Sequence, residues 1–201
     1  MSDLTVRPRR SVLYMPGSNA RALEKAKGLP ADALILDLED AVSPDAKDVA
    51  RSQVCDAVRE GGYGKREIAI RINGLDTDWG EDDLKAACAA GPDAILAPKI
   101  NTADDVKTLV AKMEEYGAPA STALWCMMET PLGILNAQEI GAASDRVAVW
   151  VMGTNDIAKD TGAHHTPGRL PMITSLGICM LAARAYGIQI LDGVYNDIKN
   201  E

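Results

Sequence analysis

Residues Ala123–Pro131, ALWCMMETP, decide how the chain is read. Ala123-Leu124-Trp125-Cys126-Met127-Met128 is apolar without alternation, the pattern of a strand buried on both faces. Glu129 ends the run, and Thr130-Pro131 opens a helix, with Pro at a first-turn position where its missing N–H costs nothing. A carboxylate at the C-terminal end of an apolar strand is poorly placed for packing and well placed to face a pocket. The pattern recurs one strand–helix unit later, where Arg146-Val147-Ala148-Val149-Trp150-Val151-Met152 leads into Gly153-Thr154-Asn155-Asp156. Glu129 and Asp156 therefore sit at the ends of consecutive strands.

Outward from this stretch the alternation continues. Upstream, Ser11–Tyr14 reads as a strand, Met15-Pro16-Gly17-Ser18-Asn19 as a turn, and Ala20–Gly28 as a helix capped by Ser18 or Asn19. Ala33–Leu36 is a strand buried on both faces that ends in the acidic cluster Asp37-Leu38-Glu39-Asp40. Ser43-Pro44-Asp45 starts a helix that runs to Glu60 and is stopped by Gly61-Gly62. Ile68–Ile70 delivers Arg71-Ile72-Asn73-Gly74, a short helix covers Glu81–Ala90, and the strand Ala94–Ala97 ends in Pro98-Lys99. Thr102–Tyr116 has apolar residues at helical spacing. Downstream come a helix Leu132–Ala143, a Gly-, His- and Pro-containing loop Thr161–Pro171, an apolar helix Ile173–Tyr186 and a last strand Ile188–Leu191 before Asp192-Gly193.

Strands alternating with helices and no break in composition predict an α/β fold in one domain, residues 1–201. The right-handed crossover rule leaves an open doubly wound sheet or a closed barrel. Polar residues gather after six strands, and a barrel collects all of those ends on one face, so the expectation is a (β/α)8 TIM barrel. Seven strands are read where eight are needed, so the last strand and the C-terminal region are expected to be lacking from this chain.

Composition narrows the partners. With 201 residues, 47% of them hydrophobic, the chain can bury roughly 70% of its unfolded surface. Phe is absent, so an aliphatic core is expected. A net charge of −8 argues against nucleic acid or an anionic membrane as the main partner, while a local Arg/Lys cluster can still bind an anionic ligand. No apolar run approaches the ~20 residues of a membrane span, and no signal-peptide pattern precedes the first strand. Cys55, Cys88, Cys126 and Cys179 form no C-x-x-C pair and read as buried free thiols of a cytoplasmic protein.

The strand-end residues suggest a chemistry. Glu129 and Asp156 are hard oxygen donors, and Mg²⁺ takes one or two carboxylates plus substrate oxygens and waters. The site reads as a Mg²⁺ or Mn²⁺ centre, with Asp37, Glu39 and Asp40 as supporting acids that hold water. Zn²⁺ does not fit, because the only histidines, His164 and His165, are adjacent and project in different directions. Each carboxylate alone could equally be a helix cap or a surface charge. Arg71 can fork onto a substrate carboxylate, and it can also pair with the acidic cluster after the second strand; the two roles are compatible. Lys99 reads as an ion-pair partner of the carboxylates or a Schiff-base lysine. The turn Tyr14–Asn19, followed by a helix carrying Arg21 and Lys25, is a candidate anion site.

RSVLYMPGSNARALEKA, ALILDLEDAVSPDAKDVAR, IRINGLDT, ILAPKI, METPLGI and VMGTNDIA, in that order, resemble the citrate lyase β-subunit-like (HpcH/HpaI aldolase) family of CoA-ester lyases. That family includes malyl-CoA and citramalyl-CoA lyases and malyl-CoA thioesterases. The resemblance implies a (β/α) barrel, assembled as a homotrimer or homohexamer. It places Mg²⁺ on Glu129 and Asp156 and an oxo-acid carboxylate or carbonyl on Arg71. Tyr14, Asn19 and Lys25 fall where related lyases contact the CoA thioester. Asn19 stands where some malyl-CoA lyases carry Arg. Glu39 and Asp40 would support the metal's waters, and Asn155 joins Arg71 and Glu129 among the substrate-binding candidates. An acidic catalytic residue of the family lies beyond the point where this sequence stops.

The expected reaction is Mg²⁺-dependent carbon–carbon cleavage of a 3-hydroxyacyl-CoA to an acyl-CoA and a 2-oxo acid, with Arg71, Glu129 and Asp156 as the catalytic set. Three alternatives share the residues. One is hydrolysis of the thioester to malate and CoA. A second is a non-catalytic subunit or remnant. The third is an aldolase barrel of the phosphoenolpyruvate/pyruvate type that lacks the CoA-contact turn.

Overall fold

Apolar strand runs and capped helices recur through the computed structural model, which describes residues 7–197 and 199. The described residues fall into two compact units, one up to Ile95 and one from Leu96. The first holds β1 (Val12–Pro16), α1 (Ala20–Ala26), β2 (Ala33–Asp37), α2 (Lys47–Glu60), β3 (Glu67–Arg71) and α3 (Gly80–Ala90). The division falls within β4 (Ala94–Ala97). The second holds α4 (Ala103–Glu115), β5 (Ala123–Met128), α5 (Pro131–Leu135), α6 (Ala137–Gly141), β6 (Val147–Met152), α7 (Thr154–Thr161), α8 (Leu170–Ala185) and β7 (Gln189–Leu191). This is the expected β/α repetition of a (β/α) barrel chain, seven strands long among the described residues. The two ends of the expected 1–201 domain lie outside those residues.

In the first unit β1 pairs with β2 and β2 with β3, both parallel and in sequence order. Parallel strands covered on both faces explain why every residue of β2 and β3 is buried. The register sets Asp37 opposite Arg71, so the two side chains emerge side by side at the strand tips. Gly17 follows β1 where a Cβ would stand 2.6 Å from the Asp37 carbonyl and 2.8 Å from Val54. Only glycine allows this approach, and its N–H donates to that carbonyl at 2.8 Å.

In the second unit β5 pairs with β6 and β6 with β7, again parallel. Met128 lies opposite Met152, which brings Glu129 level with Gly153, and the Gly153 N–H donates to the Met128 carbonyl at 3.2 Å. The expected aliphatic core has aromatic exceptions: Tyr63 is buried, and Trp125 and Trp150 are fully buried and are the largest side chains inside. All four cysteines are free and buried. Burial raises the Cys126 thiol well above its ordinary range and pushes Cys179 up to about 12, which leaves both as inert packing groups.

Two elements depart from the expected string. The helix expected over Leu132–Ala143 divides at Asn136, whose side-chain amide donates to the Asn101 carbonyl at 2.9 Å. Residues 154–161, given no helix from sequence, form α7 around a buried stripe of Thr154, Ile157 and Ala158. Among the described residues no helix is long and apolar enough to cross a membrane.

Candidate functional site

In the first unit Arg71 is 6% exposed and its guanidinium is gripped by the cluster after β2. Nε donates to Asp37 Oδ1 at 2.7 Å and Nη2 to Asp37 Oδ2 at 2.6 Å, the bidentate geometry that makes Arg–carboxylate pairs strong. Nη1 lies 2.8 Å from Glu39 Oε2 and 3.6 Å from Asp40 Oδ2. The Tyr14 ring stacks beside the same group, its centroid 5.0 Å from the guanidinium carbon. Burial works against the charge on Arg71, but the Asp37 hydrogen bonds and the charges of Asp37 and Glu39 outweigh it. The net shift is upward, so Arg71 stays a cation at any working pH.

The Asp37 carboxylate is spent. Oδ1 also accepts the Glu39 N–H at 2.9 Å and Oδ2 the Ala41 N–H at 3.2 Å, so its two oxygens take four hydrogen bonds. It acts as the hub of its loop and as the anchor of Arg71. The ion-pair role foreseen for Arg71 is therefore the one seen: Nε and Nη2 donate to Asp37, and Nη1 faces Glu39 as an ion pair. Asn19 is exposed and caps α1, its Oδ1 accepting the Ala22 N–H at 3.1 Å. Lys25 is exposed on the last turn of the same helix.

In the second unit Glu129 is buried to 1% exposure at the tip of β5. The main-chain N–H of Lys99 donates to its Oε1 at 2.8 Å. Lys99 holds this position with φ +50°, a left-handed conformation uncommon for a side-chain-bearing residue. Its own side chain is exposed. The other oxygen, Oε2, lies over Gly153, where a Cβ would overlap both it and the Glu129 Cβ. The missing Cβ lets the Gly153 main chain pack directly against this buried carboxylate. One helical turn beyond Gly153, in the first turn of α7, stands the half-buried Asp156. Two carboxylates at the ends of neighbouring strands, one buried with its Oε2 against glycine main chain, are a donor set that suits the hard-oxygen chemistry of Mg²⁺. Among the described residues no group of three or more His, Cys, Asp or Glu is placed to hold a metal. Asn155, a candidate substrate contact, is exposed and exchanges side-chain amide bonds with Asn196 at 2.9 and 3.4 Å.

Gly153→Ala is expected to destabilise the protein by about 1–3 kcal/mol, the range for overpacking, because the new methyl has nowhere to go but into Glu129. Urea unfolding against the parent reads this directly. An unchanged midpoint would show that this packing is looser than its geometry.

Residues 10–201 match the family model described as HpcH/HpaI aldolase/citrate lyase. The chain is 51% identical over 194 residues to a (3S)-malyl-CoA thioesterase of Cereibacter sphaeroides, covering 96% of this chain and 66% of that protein. It is 38% identical over 200 residues to the citrate lyase subunit beta of Escherichia coli, covering 97% of this chain and again 66% of the relative. The chain thus spans just under two thirds of the length of these curated relatives. Among solved structures, the citrate lyase beta subunit of Mycobacterium tuberculosis, complexed with oxaloacetate and magnesium, superposes with a TM-score of 0.76 at 27% identity. That likeness covers 94% of this chain and 80% of the other. With the family model matched across nearly all of its length, the chain belongs to the HpcH/HpaI aldolase/citrate lyase family.

Proposed function

We propose that this protein is an enzyme acting on the CoA thioester of a short 3-hydroxy dicarboxylic acid of the malyl type, and that it hydrolyses the thioester to the free acid and CoA. The observation that carries the reading is the 51% identity to a malyl-CoA thioesterase, which covers Arg71, Glu129 and Asp156 alike within 96% of the chain. In this reading Glu129 and Asp156 hold Mg²⁺ or Mn²⁺. A divalent ion, when bound, supplies a positive centre that polarises a carbonyl and steadies negative charge on oxygen. Glu129 is fixed for this duty by the Lys99 N–H, which leaves it little freedom to reorient. Arg71, already aimed by Asp37 and Glu39, offers its remaining N–H bonds to the carboxylate of the acyl group. Tyr14, Asn19 and Lys25 are assigned to the CoA part and Asn155 to the substrate. The Asn155 assignment requires its amide pair with Asn196 to exchange for the ligand. Assembly as a homotrimer or homohexamer and a cytoplasmic location belong to the same reading. Apolar side chains exposed on α5 and α8, such as Leu135 and Leu181, support the assembly.

The citrate lyase relatives favour a second reading, carbon–carbon cleavage to an acyl-CoA and a 2-oxo acid. Product analysis separates them. The full-length protein incubated with (3S)-malyl-CoA and Mg²⁺ is expected to give malate and free CoA. Acetyl-CoA with glyoxylate would establish the lyase instead, and unchanged thioester would overturn both.

A further inference from the structure

Lys47 opens α2, and it is buried. A cation in the first turn of a helix opposes the macrodipole, so its place there needs another source of stability. Nζ donates to the carbonyls of Leu38 and Glu39, both at 2.7 Å, and to Asn73 Oδ1 at 2.8 Å. These three bonds use all the protons of an ammonium. Leu38 and Glu39 form the main chain between the two carboxylates that grip Arg71, and Asn73 lies two residues beyond Arg71. One side chain therefore ties the loop after β2 to the loop after β3.

The tie is itself braced. Asn73 Nδ2 donates to the Leu38 carbonyl at 2.9 Å and to Asp83 Oδ2 at 2.6 Å. Asp83, fully buried, takes Arg51 Nε on its other oxygen at 2.6 Å. The Trp79 ring covers the ammonium, its centroid 5.3 Å away. Burial lowers the Lys47 proton affinity more than the surrounding carboxylates Asp37, Asp83, Glu39 and Asp40 restore it. A charge kept at that cost, with every proton committed, belongs to a site whose geometry matters.

We propose that Lys47 is the positioning residue of Arg71. It fixes the Leu38–Glu39 main chain, and through it the Asp37 and Glu39 carboxylates that set the direction of the guanidinium, without touching substrate. This rests on the reading of Arg71 as the partner of the substrate carboxylate.

The test compares the full-length parent with Lys47→Met, Lys47→Arg, Arg71→Lys and the double variant Lys47→Met/Arg71→Lys. It reads kcat and KM for (3S)-malyl-CoA, and malate binding by calorimetry in the presence of Mg²⁺. Lys47→Met is expected to lower kcat/KM by about 10–100-fold, the usual cost of losing a supporting partner. Lys47→Arg should recover most of the loss. In the Arg71→Lys background, Lys47→Met should add no more than about twofold, because its effect runs through Arg71. A merely structural lysine would multiply the two losses. That result, or a Lys47→Met protein within about twofold of the parent, overturns the proposal. Should Lys47→Met not fold, Lys47→Gln carries the same comparison. Full activity and full malate binding in Arg71→Lys would overturn the Arg71 reading and this proposal with it, whereas insensitivity at Lys47 alone overturns only the latter.

Discussion

Glu129→Gln lowers turnover of malyl-CoA by about 10³-fold while the fold survives, if the second unit carries the metal as proposed. Glutamine keeps the shape of the side chain and its carbonyl oxygen still accepts the Lys99 N–H, so the main-chain turn at φ +50° retains its partner. The negative charge disappears, and one metal-ligating oxygen becomes an amide nitrogen that cannot bind a cation. A metal centre supplies several kcal/mol of charge stabilisation, and each 1.36 kcal/mol is tenfold in rate, so the loss of one of two carboxylate donors reaches three orders of magnitude. Asp156→Asn should fall in the same range. Calorimetric titration with Mg²⁺ reads the cause apart from activity: both variants should lose the binding isotherm that the parent shows. Parent-like affinity in both would remove the metal from these residues, whatever the turnover.

Arg71→Met is expected to cost about 3–5 kcal/mol of stability, the range for breaking a buried pair by deleting one partner. The methionine fills the space, but Asp37 and Glu39, 1% and 8% exposed, lose the cation that faces them. The Glu39 and Ala41 amides still serve Asp37, which keeps the penalty within that range. Adding Asp37→Asn should recover part of the loss, since the pair would then be neutral on both sides. Denaturant unfolding of the parent, the single and the double variant measures this. A single variant within about 1 kcal/mol of the parent would contradict the pairing.

Much of the fold was legible because parallel strands buried on both faces write themselves as unbroken apolar runs. Ala94–Ala97 and Ala123–Met128 were read with the bounds that the structure has. Residues 154–161 were not, because Thr-Asn-Asp after a glycine looks like turn chemistry and only tertiary burial of Ile157 and Ala158 makes it a helix. The strand-end position of Glu129 was legible for the same reason as its strand. The partner of Arg71 was foreseen as a cluster, but its choice of Asp37 depends on strand register, which no single segment states. Lys47, Asn73 and Asp83 were missed as a network, since each alone resembles a surface polar residue. One signal was available: a lysine directly after Ser43-Pro44-Asp45-Ala46, at the helix end where a cation is disfavoured.

Arg71 pairs directly with Asp37 and Glu39 and Arg51 with Asp83, while Lys47 joins the two groups through backbone carbonyls and Asn73. Asp40 and Asp48 join the same network at its exposed rim, 3.6 Å from Arg71 and 2.9 Å from Arg51, while the inner pairs stay buried. Dissolved ions, whose atmosphere extends about 8 Å at physiological strength, screen the rim charges and reach the buried pairs far less. The pair of Arg10 with Asp32 is therefore expected to fade in brine, while the buried pairs that hold Arg71 weaken much less.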